Sequence, residues 1–413
     1  MANLGVYLNR QLVGQLTHHA GSLSFCYQAA YLQNANALPL SRHLPLQAEA
    51  FDDPASRAFF ENLLPEGRIR TQLARALGLS QENIFGLLSE LGGDCAGAVR
   101  LLPQAQQPIT AGHYRLISDA ELAQELVNLP SHPFLADEEG VRLSLAGAQN
   151  KLPVYFDGRD FFIPEADAPS SHILKTPIER LENTVVNEAF CMNLADTIGL
   201  KVPPATVVAI GGSAVYLVER YDRQQTQDGL LRLHQEDFCQ ALGVVSAVKY
   251  EKEGGPGFAE CFDLVRTWSD EPLADVAALL RWALFNFMIG NADAHGKNIS
   301  FLYADGQVRL TPFYDLISTA VYEHQLNNKF AMRMGGQKDP RYLSANDLAK
   351  FAAEIGVGLR VVKRSLTVLL EALNAATPTV AAQFRDKYCN PVIVGRIEQV
   401  LEQRMSKARM LIG

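Results

Sequence analysis

The chain has 413 residues, 48% hydrophobic and 20% charged, with a net charge of −8 from 37 basic and 45 acidic side chains. Such a composition is ordinary for a globular enzyme of two or three domains and carries no global basic footprint for nucleic acid. The six cysteines form no CxxC pair and the nine histidines no HExxH, which argues against a disulfide framework or a zinc site and for reduced thiols in the cytoplasm.

The N-terminal stretch MANLGVYLNRQLVGQL lacks an apolar signal core and alternates like a strand. Together with SLSFCY it predicts a meander over residues 3–30. Residues 53–80 have helical spacing, broken at Pro65 and Gly67. SDAELAQELVNL opens with Ser118 and Glu121 at capping-box spacing, which predicts a helix start. The polar stretch Pro130–Glu139 reads as a connection between subdomains.

From residue 141 the pattern changes to short strands, VRLSL, KLPVYFDG, DFFIP and SHILKTP, followed by a helix over 182–198 that Gly199 ends. ATVVAIGGSAVYLVERYDR predicts two antiparallel strands joined at Gly211-Gly212-Ser213. After residue 224 the chain reads as helical, in five segments with apolar faces of 3.6-residue period. The exception is 299–315, two strands around an Ala-Asp-Gly turn. The longest apolar stretch, Val276–Ile289, is interrupted by Arg281 and Asn286 and is too short to span a bilayer.

Chemistry concentrates in GNADAHGKN, residues 290–298, directly after that apolar helix. Asp293 and Asn298 stand in D-x-x-x-x-N spacing, and Asp315 follows across the expected hairpin. Kinase-like phosphotransferases need such a set: an Asp that accepts the proton of the attacking hydroxyl, then an Asn and an Asp that hold Mg²⁺ against phosphates. Ordinary turn chemistry competes with this reading, because Asn, Asp and Gly are the usual turn formers.

A nucleotide side can be sought upstream. In SLAGAQNK, Ala146, Gly147 and Ala148 would let backbone N–H groups approach phosphates closely, although a plain turn explains them as well. Lys175 lies in an apolar strand beside Ile173 and Leu174, where a lysine is costly unless paired. The α/β-phosphates and Glu188 on the following helix are its expected partners, while a solvated surface position remains open for Glu188. Glu219 and Tyr221 could offer backbone groups to an adenine edge, or mark a salt-bridged strand end. Asp237 reads as a helix cap. His295 either fixes the loop or touches phosphate.

With these pieces assembled, the chain resembles the HipA-type serine/threonine kinases, the toxin components of bacterial toxin–antitoxin pairs. NLLPEG, GGDCAGAV, SLAGAQNK, HILKTP, ERYDR, HQEDFCQ, KYEKEGGPG, NADAHGKN and LTPFYD carry the likeness in the family's order. The resemblance implies an α+β, two-lobed protein-kinase-like fold, with an extra N-terminal subdomain over 1–135, a strand-rich nucleotide-binding lobe over 136–223 and an all-helical catalytic lobe over 224–413. It implies ATP and Mg²⁺ as cofactors, Asp293 as catalytic base, and Asn298 and Asp315 as metal ligands. The implied ATP-binding set is Ala146, Gly147, Ala148, Gln149, Asn150, Lys151, Lys175, Glu219, Arg220, Tyr221, His295, Lys297, Asn298, Tyr314 and Asp315. Ser144 corresponds to the residue that family members autophosphorylate.

The implied partners are a HipB-like helix-turn-helix antitoxin, operator DNA through that complex, and a protein substrate such as glutamate–tRNA ligase, an aminoacyl-tRNA synthetase; no membrane is implied. Cys95 stands where the family pattern has serine, and segment 316–345 departs from it in length, which leaves substrate choice outside the resemblance. Two other functions fit parts of the pattern: a small-molecule phosphotransferase on the same plan, and a DNA-associated co-repressor with a vestigial kinase site.

Overall fold

In the computed structural model, residues 2–103, 106–108, 112–130, 133–135, 142–147, 149–389 and 391–413 are described. Most of the connection expected over Pro130–Glu139 lies outside them, as does Ala148. The chain forms two compact units. The first comprises Met1–Thr176, Val208–Ala247 and Leu302–Gly306; the second comprises Pro177–Val207, Val248–Phe301 and Gln307–Gly413.

The expected meander is present as β1 (Ala2–Leu8), β2 (Gln11–His19) and β3 (Ser22–Tyr27), and β4 (Val99–Pro103) joins it in the order β3-β2-β1-β4. A second sheet is built from β5 (His113–Ile117), β6 (Lys151–Phe156), β7 (Phe161–Glu165), β8 (His172–Lys175), β9 (Ala205–Ile210) and β10 (Ser213–Glu219), in the order β5-β7-β6-β8-β10-β9. One apolar cluster runs from Leu4 and Phe25 through Phe59, Leu88 and Leu101 to Leu152, Leu174 and Leu217. The helix Asp53–Phe60 starts where Asp52 accepts the Ala55 N–H, and the next begins at Gly67, so the break at Pro65 and Gly67 is as the sequence indicates.

Two local expectations need correction. Of VRLSL, the described residues 142–145 form no strand; Leu143 makes one isolated bridge, to Asp94. Residues 224–232, read as the start of the helical half, instead form with Arg223 the hairpin β11 (Arg223–Thr226) and β12 (Gly229–Arg232), followed by β13 (His234–Asp237). In that hairpin Arg223 sits directly opposite Arg232, an arrangement that repels unless an anion lies between. Asp94 supplies it: its Oδ1 is 2.7 Å from Arg223 and 2.9 Å from Arg232, while its Oδ2 meets Arg220 at 3.3 Å and Ser170 at 2.6 Å. The helix Leu359–Lys387 continues through Pro378 although a proline there removes a backbone donor. Val380, Ala381 and Phe384 beyond it are buried, and Phe384 packs edge-on against Phe190 at 5.3 Å, so packing overrides the break.

The second unit is mainly helical: Thr184–Thr197, Phe258–Trp268, Pro272–Ile289, Ala345–Glu354, Leu359–Lys387 and Val392–Ile412. Strands β14 (Ser300–Ala304) and β15 (Gln307–Leu310) form the hairpin read at 299–315, with Asp305 and Gly306 left-handed at its turn. Pro272–Ile289 is, among the described residues, long and apolar enough to cross a membrane by length and composition; 61% of it is buried, including Leu279 through Leu280 and Trp282 through Ile289. It is the central helix of its unit.

Burial disfavours the charged form of Asp94, but the guanidiniums of Arg223, Arg232 and Arg220 and the Ser170 hydroxyl outweigh it and hold the carboxyl well below the usual carboxylate range. A depressed folded-state pKa stabilises above the unfolded value, so this contribution should persist from neutral pH down to about 4 and be lost as the pH falls further. Asp94→Asn strands buried guanidiniums and should cost about 3–5 kcal/mol in urea unfolding at pH 7. A loss under about 1 kcal/mol, the range of exposed pairs, would show that the cluster does not hold the unit together.

Candidate active site

In the second unit, the loop after Pro272–Ile289 begins with Gly290, left-handed at φ 69°, whose N–H still donates to the helix. A Cβ there would lie 2.6 Å from Ala320 Cβ, so the turn requires glycine on steric as well as conformational grounds. Asn291 then fixes the loop. Its N–H donates to Asn286 O at 2.9 Å, its Nδ2 to Asn286 Oδ1 at 2.8 Å, and its Oδ1 accepts the Asp293 N–H at 3.0 Å. Thr319 adds a second pin, accepting the Ala292 N–H at 2.7 Å and donating to Gly290 O at 3.0 Å. The bland turn reading thus holds for Asn291, which serves the geometry of its neighbours.

Asp293 projects from this rigid base with its side chain 54% exposed. Tyr250 donates to its Oδ1 at 2.6 Å, and His295 Nε2 lies 4.0 Å from the same oxygen. His295 is buried and caps the short turn Gly296–Asn298, with its N–H 3.3 Å from Asn298 Oδ1. The Asn298 carboxamide faces the Asp315 carboxylate at 3.4 Å. Asp315 has left-handed backbone, φ 54°, a conformation Asp tolerates better than most residues. Lys297 is buried, and its carbonyl accepts the Tyr314 hydroxyl at 2.8 Å. Asp293, His295, Lys297, Asn298, Tyr314 and Asp315 are therefore one cluster. Asn298 and Asp315 offer a carboxamide and a carboxylate, the hard-oxygen donors that Mg²⁺ takes beside phosphate oxygens, so the donor set fits that ion.

In the first unit, Lys175 on β8 is 7% exposed and lies directly opposite Lys151 on β6 and Tyr216 on β10. Its Nζ is 5.5 Å from the centre of the Tyr216 ring. Two lysines opposed on one face suit a polyanion, since like charges so placed repel. Lys151 donates to the Ala146 carbonyl, Gln149 Nε2 to Thr176 O at 3.1 Å, and Asn150 O accepts the Thr176 N–H at 3.4 Å. Gly147 has φ 115°. Ser144 is fully buried, its hydroxyl donating to Leu63 O at 2.9 Å.

Glu219 is exposed at the end of β10; Arg220 donates its N–H to Ser171 O at 2.9 Å, and its guanidinium joins the Asp94 cluster. Tyr221 donates to Gln235. Asp237 is a helix cap in a full capping box with Gln240. Glu188, in the second unit, is buried on the helix Thr184–Thr197, which removes the solvated-surface alternative.

Sequence reasoning assigned no role to Tyr250, Thr319 or Asn286. Tyr250 lies in the quoted KYEKEGGPG, but 43 positions from Asp293 no periodicity links the two. Asn286 was visible only as a polar break in an apolar helix.

Residues 4–102 match the family described as HipA N-terminal domain, and residues 143–380 the one described as HipA-like C-terminal domain. The serine/threonine-protein kinase toxin HipA of Shewanella oneidensis is 32% identical over 391 residues, 91% of this chain and 89% of that protein. The putative kinase Y4mE of Sinorhizobium fredii is 43% identical over 416 residues, covering 99% of both. The solved Shewanella oneidensis HipA, in complex with HipB and its operator DNA, superposes with a TM-score of 0.86 at 29% identity over 99% of this chain and 98% of that one. Both domain matches lie in order and cover most of the length: the chain belongs to the HipA family of serine/threonine kinases.

Proposed function

We propose that this chain is a Mg·ATP-dependent protein serine/threonine kinase, the toxin of a type II toxin–antitoxin pair. The observation that carries the reading is the meeting of Asp293, Asn298 and Asp315 at one helix end and one hairpin end. Asp293 accepts the proton of the attacking Ser or Thr hydroxyl at its exposed carboxylate, with Tyr250 holding Oδ1 so that the second oxygen is presented. Asn298 and Asp315 hold Mg²⁺, which supplies charge neutralisation at the phosphates when bound. Lys175 and Lys151 bind phosphate oxygens, helped by backbone N–H groups of the 146–151 loop, and Glu219–Tyr221 offer main-chain groups to adenine. His295 and Lys297 lie beside Asp293 and Asn298, and in this reading His295 contacts phosphate.

In this reading residues 1–135 form the family-specific subdomain, 136–223 the nucleotide-binding part and 224–413 the catalytic part. The substrate is a protein, of the aminoacyl-tRNA synthetase class, such as glutamate–tRNA ligase, whose phosphorylation would arrest translation in the cytoplasm. The Shewanella protein's complex with HipB and operator DNA supports a HipB-like antitoxin partner and DNA contact through that partner. Ser144 is the site of inhibitory autophosphorylation. Its hydroxyl sits in a dry position as a donor to Leu63 O; a phosphoserine brings nearly two negative charges and only acceptor oxygens there, so the segment must leave.

Asp293→Asn should lower phosphate incorporation from labelled Mg·ATP by about 10²–10⁴-fold, the usual share of a general base, with the urea midpoint unchanged because the side chain is half exposed. Incorporation at the parental rate would remove Asp293 from the mechanism. Asp315→Asn should weaken the Mg²⁺-dependent part of binding to a fluorescent ATP analogue, read by titration with and without EDTA; equal Mg²⁺ dependence in both proteins would count against the metal assignment. Incubation of the parent with Mg·ATP should place one phosphate on Ser144 by peptide mass spectrometry and expose residues 142–147 to protease. Phosphorylation elsewhere alone would reject the autoregulatory role.

A further inference from the structure

The motifs NLLPEG and GGDCAGAV take no part in the phosphoryl-transfer chemistry, yet both touch the segment that leads into the nucleotide loop. Residues 142–147 run between them. On one side the Asp94 N–H donates to Arg142 O at 2.9 Å and the Ser144 N–H to Asp94 O at 3.3 Å, with a parallel bridge from Asp94 to Leu143. On the other, the Glu66 N–H donates to Gly147 O at 3.1 Å beside a parallel bridge from Pro65 to Gly147, and the Ser144 hydroxyl donates to Leu63 O at 2.9 Å. The Arg142 guanidinium anchors the upstream end on the carbonyls of Ser89 at 2.7 Å and Leu101 at 2.8 Å.

Gly93 makes the approach possible. A Cβ at this position would lie 2.7 Å from Arg142 Cβ, 2.8 Å from Arg142 O and 2.8 Å from Asp167 Oδ1. Its backbone is outside the left-handed region, so a side chain is refused by the docked segment and not by the local conformation. Among the described residues the backbone of the segment pairs through isolated bridges and single hydrogen bonds, while Leu143 and Leu145 pack into the apolar cluster. Such a piece opens at lower free energy than the strands around it.

We propose that Leu63–Glu66 and Gly93–Asp94 form a receptor for residues 142–147, and that Gly93 is a positioning residue that sets the nucleotide loop. The second half of this inference rests on the reading that the 146–151 loop binds ATP. Docking fixes Ala146 and Gly147, and with them Lys151, which donates to the Ala146 carbonyl. Undocking withdraws Leu143 and Leu145 from the apolar cluster but breaks no strand pairing of the first sheet. The N-terminal motifs are thus assigned to holding the loop in its binding shape.

The test uses the full chain with Gly93→Ala and, separately, Arg142→Ala, which removes the anchor without adding bulk. Hydrogen exchange at Leu143–Gly147 should accelerate by roughly tenfold in both, the scale of a modest overpacking or lost-anchor penalty. Exchange in β1 and β4 should stay at the parental rate, which separates undocking from general destabilisation. A fluorescent ATP analogue with Mg²⁺ should bind roughly tenfold more weakly in both variants. Unchanged exchange at 142–147, or faster exchange with parental nucleotide affinity, would overturn the proposal. If the parent itself binds no analogue, the ATP reading fails instead, and the exchange comparison alone still decides whether the receptor exists.

Discussion

In the first unit the Asp94 carboxylate meets three guanidiniums out of water, and much of the local architecture follows from satisfying that arrangement. Arg223 and Arg232 come from opposed positions of one hairpin, and Arg220 from the turn after β10. Removing two charges of one sign from water beside each other is unfavourable unless a shared counter-charge is supplied. Asp94 is that counter-charge, and Asp222 assists with contacts to Arg220 and Arg223. The main chain of the same residue pairs with Arg142 and Ser144. One position therefore ties the ERYDR strand end and the Ser144 segment to the N-terminal sheet.

The opposed lysines, Lys151 and Lys175, pose the same problem on the neighbouring strands. In the proposed function the phosphates of ATP lie against both. The contrast explains why two similar-looking basic pairs are given different roles. A basic pair closed by Asp94 is structural, whereas a basic pair facing the small-residue loop suits a polyanionic ligand.

In the second unit rigidity comes from a helix end. Gly290, Asn291 and Thr319 donate to the carbonyls that a terminating helix leaves open, and Asn291 and Thr319 also accept N–H groups of the loop that carries Asp293. A carboxylate half in solvent on a pinned loop can meet a macromolecular hydroxyl with little reorganisation. The left-handed Asp315 then turns its carboxylate towards Asn298.

The elements with strong periodicity were legible in the sequence: the N-terminal meander, the Gly211-Gly212 hairpin, and the helices up to Val392–Ile412. So was the D-x-x-x-x-N set with Asp315, because its members lie on one loop and one hairpin. What escaped were features set by partners far along the chain. The β11–β12 hairpin depends on Asp94, more than a hundred positions away. The passage through Pro378 depends on Phe384 packing on Phe190, and residues 142–147 form no strand because their partners are single residues on two separate segments. By itself the sequence determined the family likeness and the segments of strong helix or strand periodicity, since local spacing and side-chain type suffice for that. Only the tertiary structure decided that Tyr250 braces Asp293, that Arg220 serves a buried ion cluster, and that Ser144 is held between two N-terminal motifs. Those contacts join positions whose spacing obeys no local period, and only the packed chain brings them within hydrogen-bonding distance.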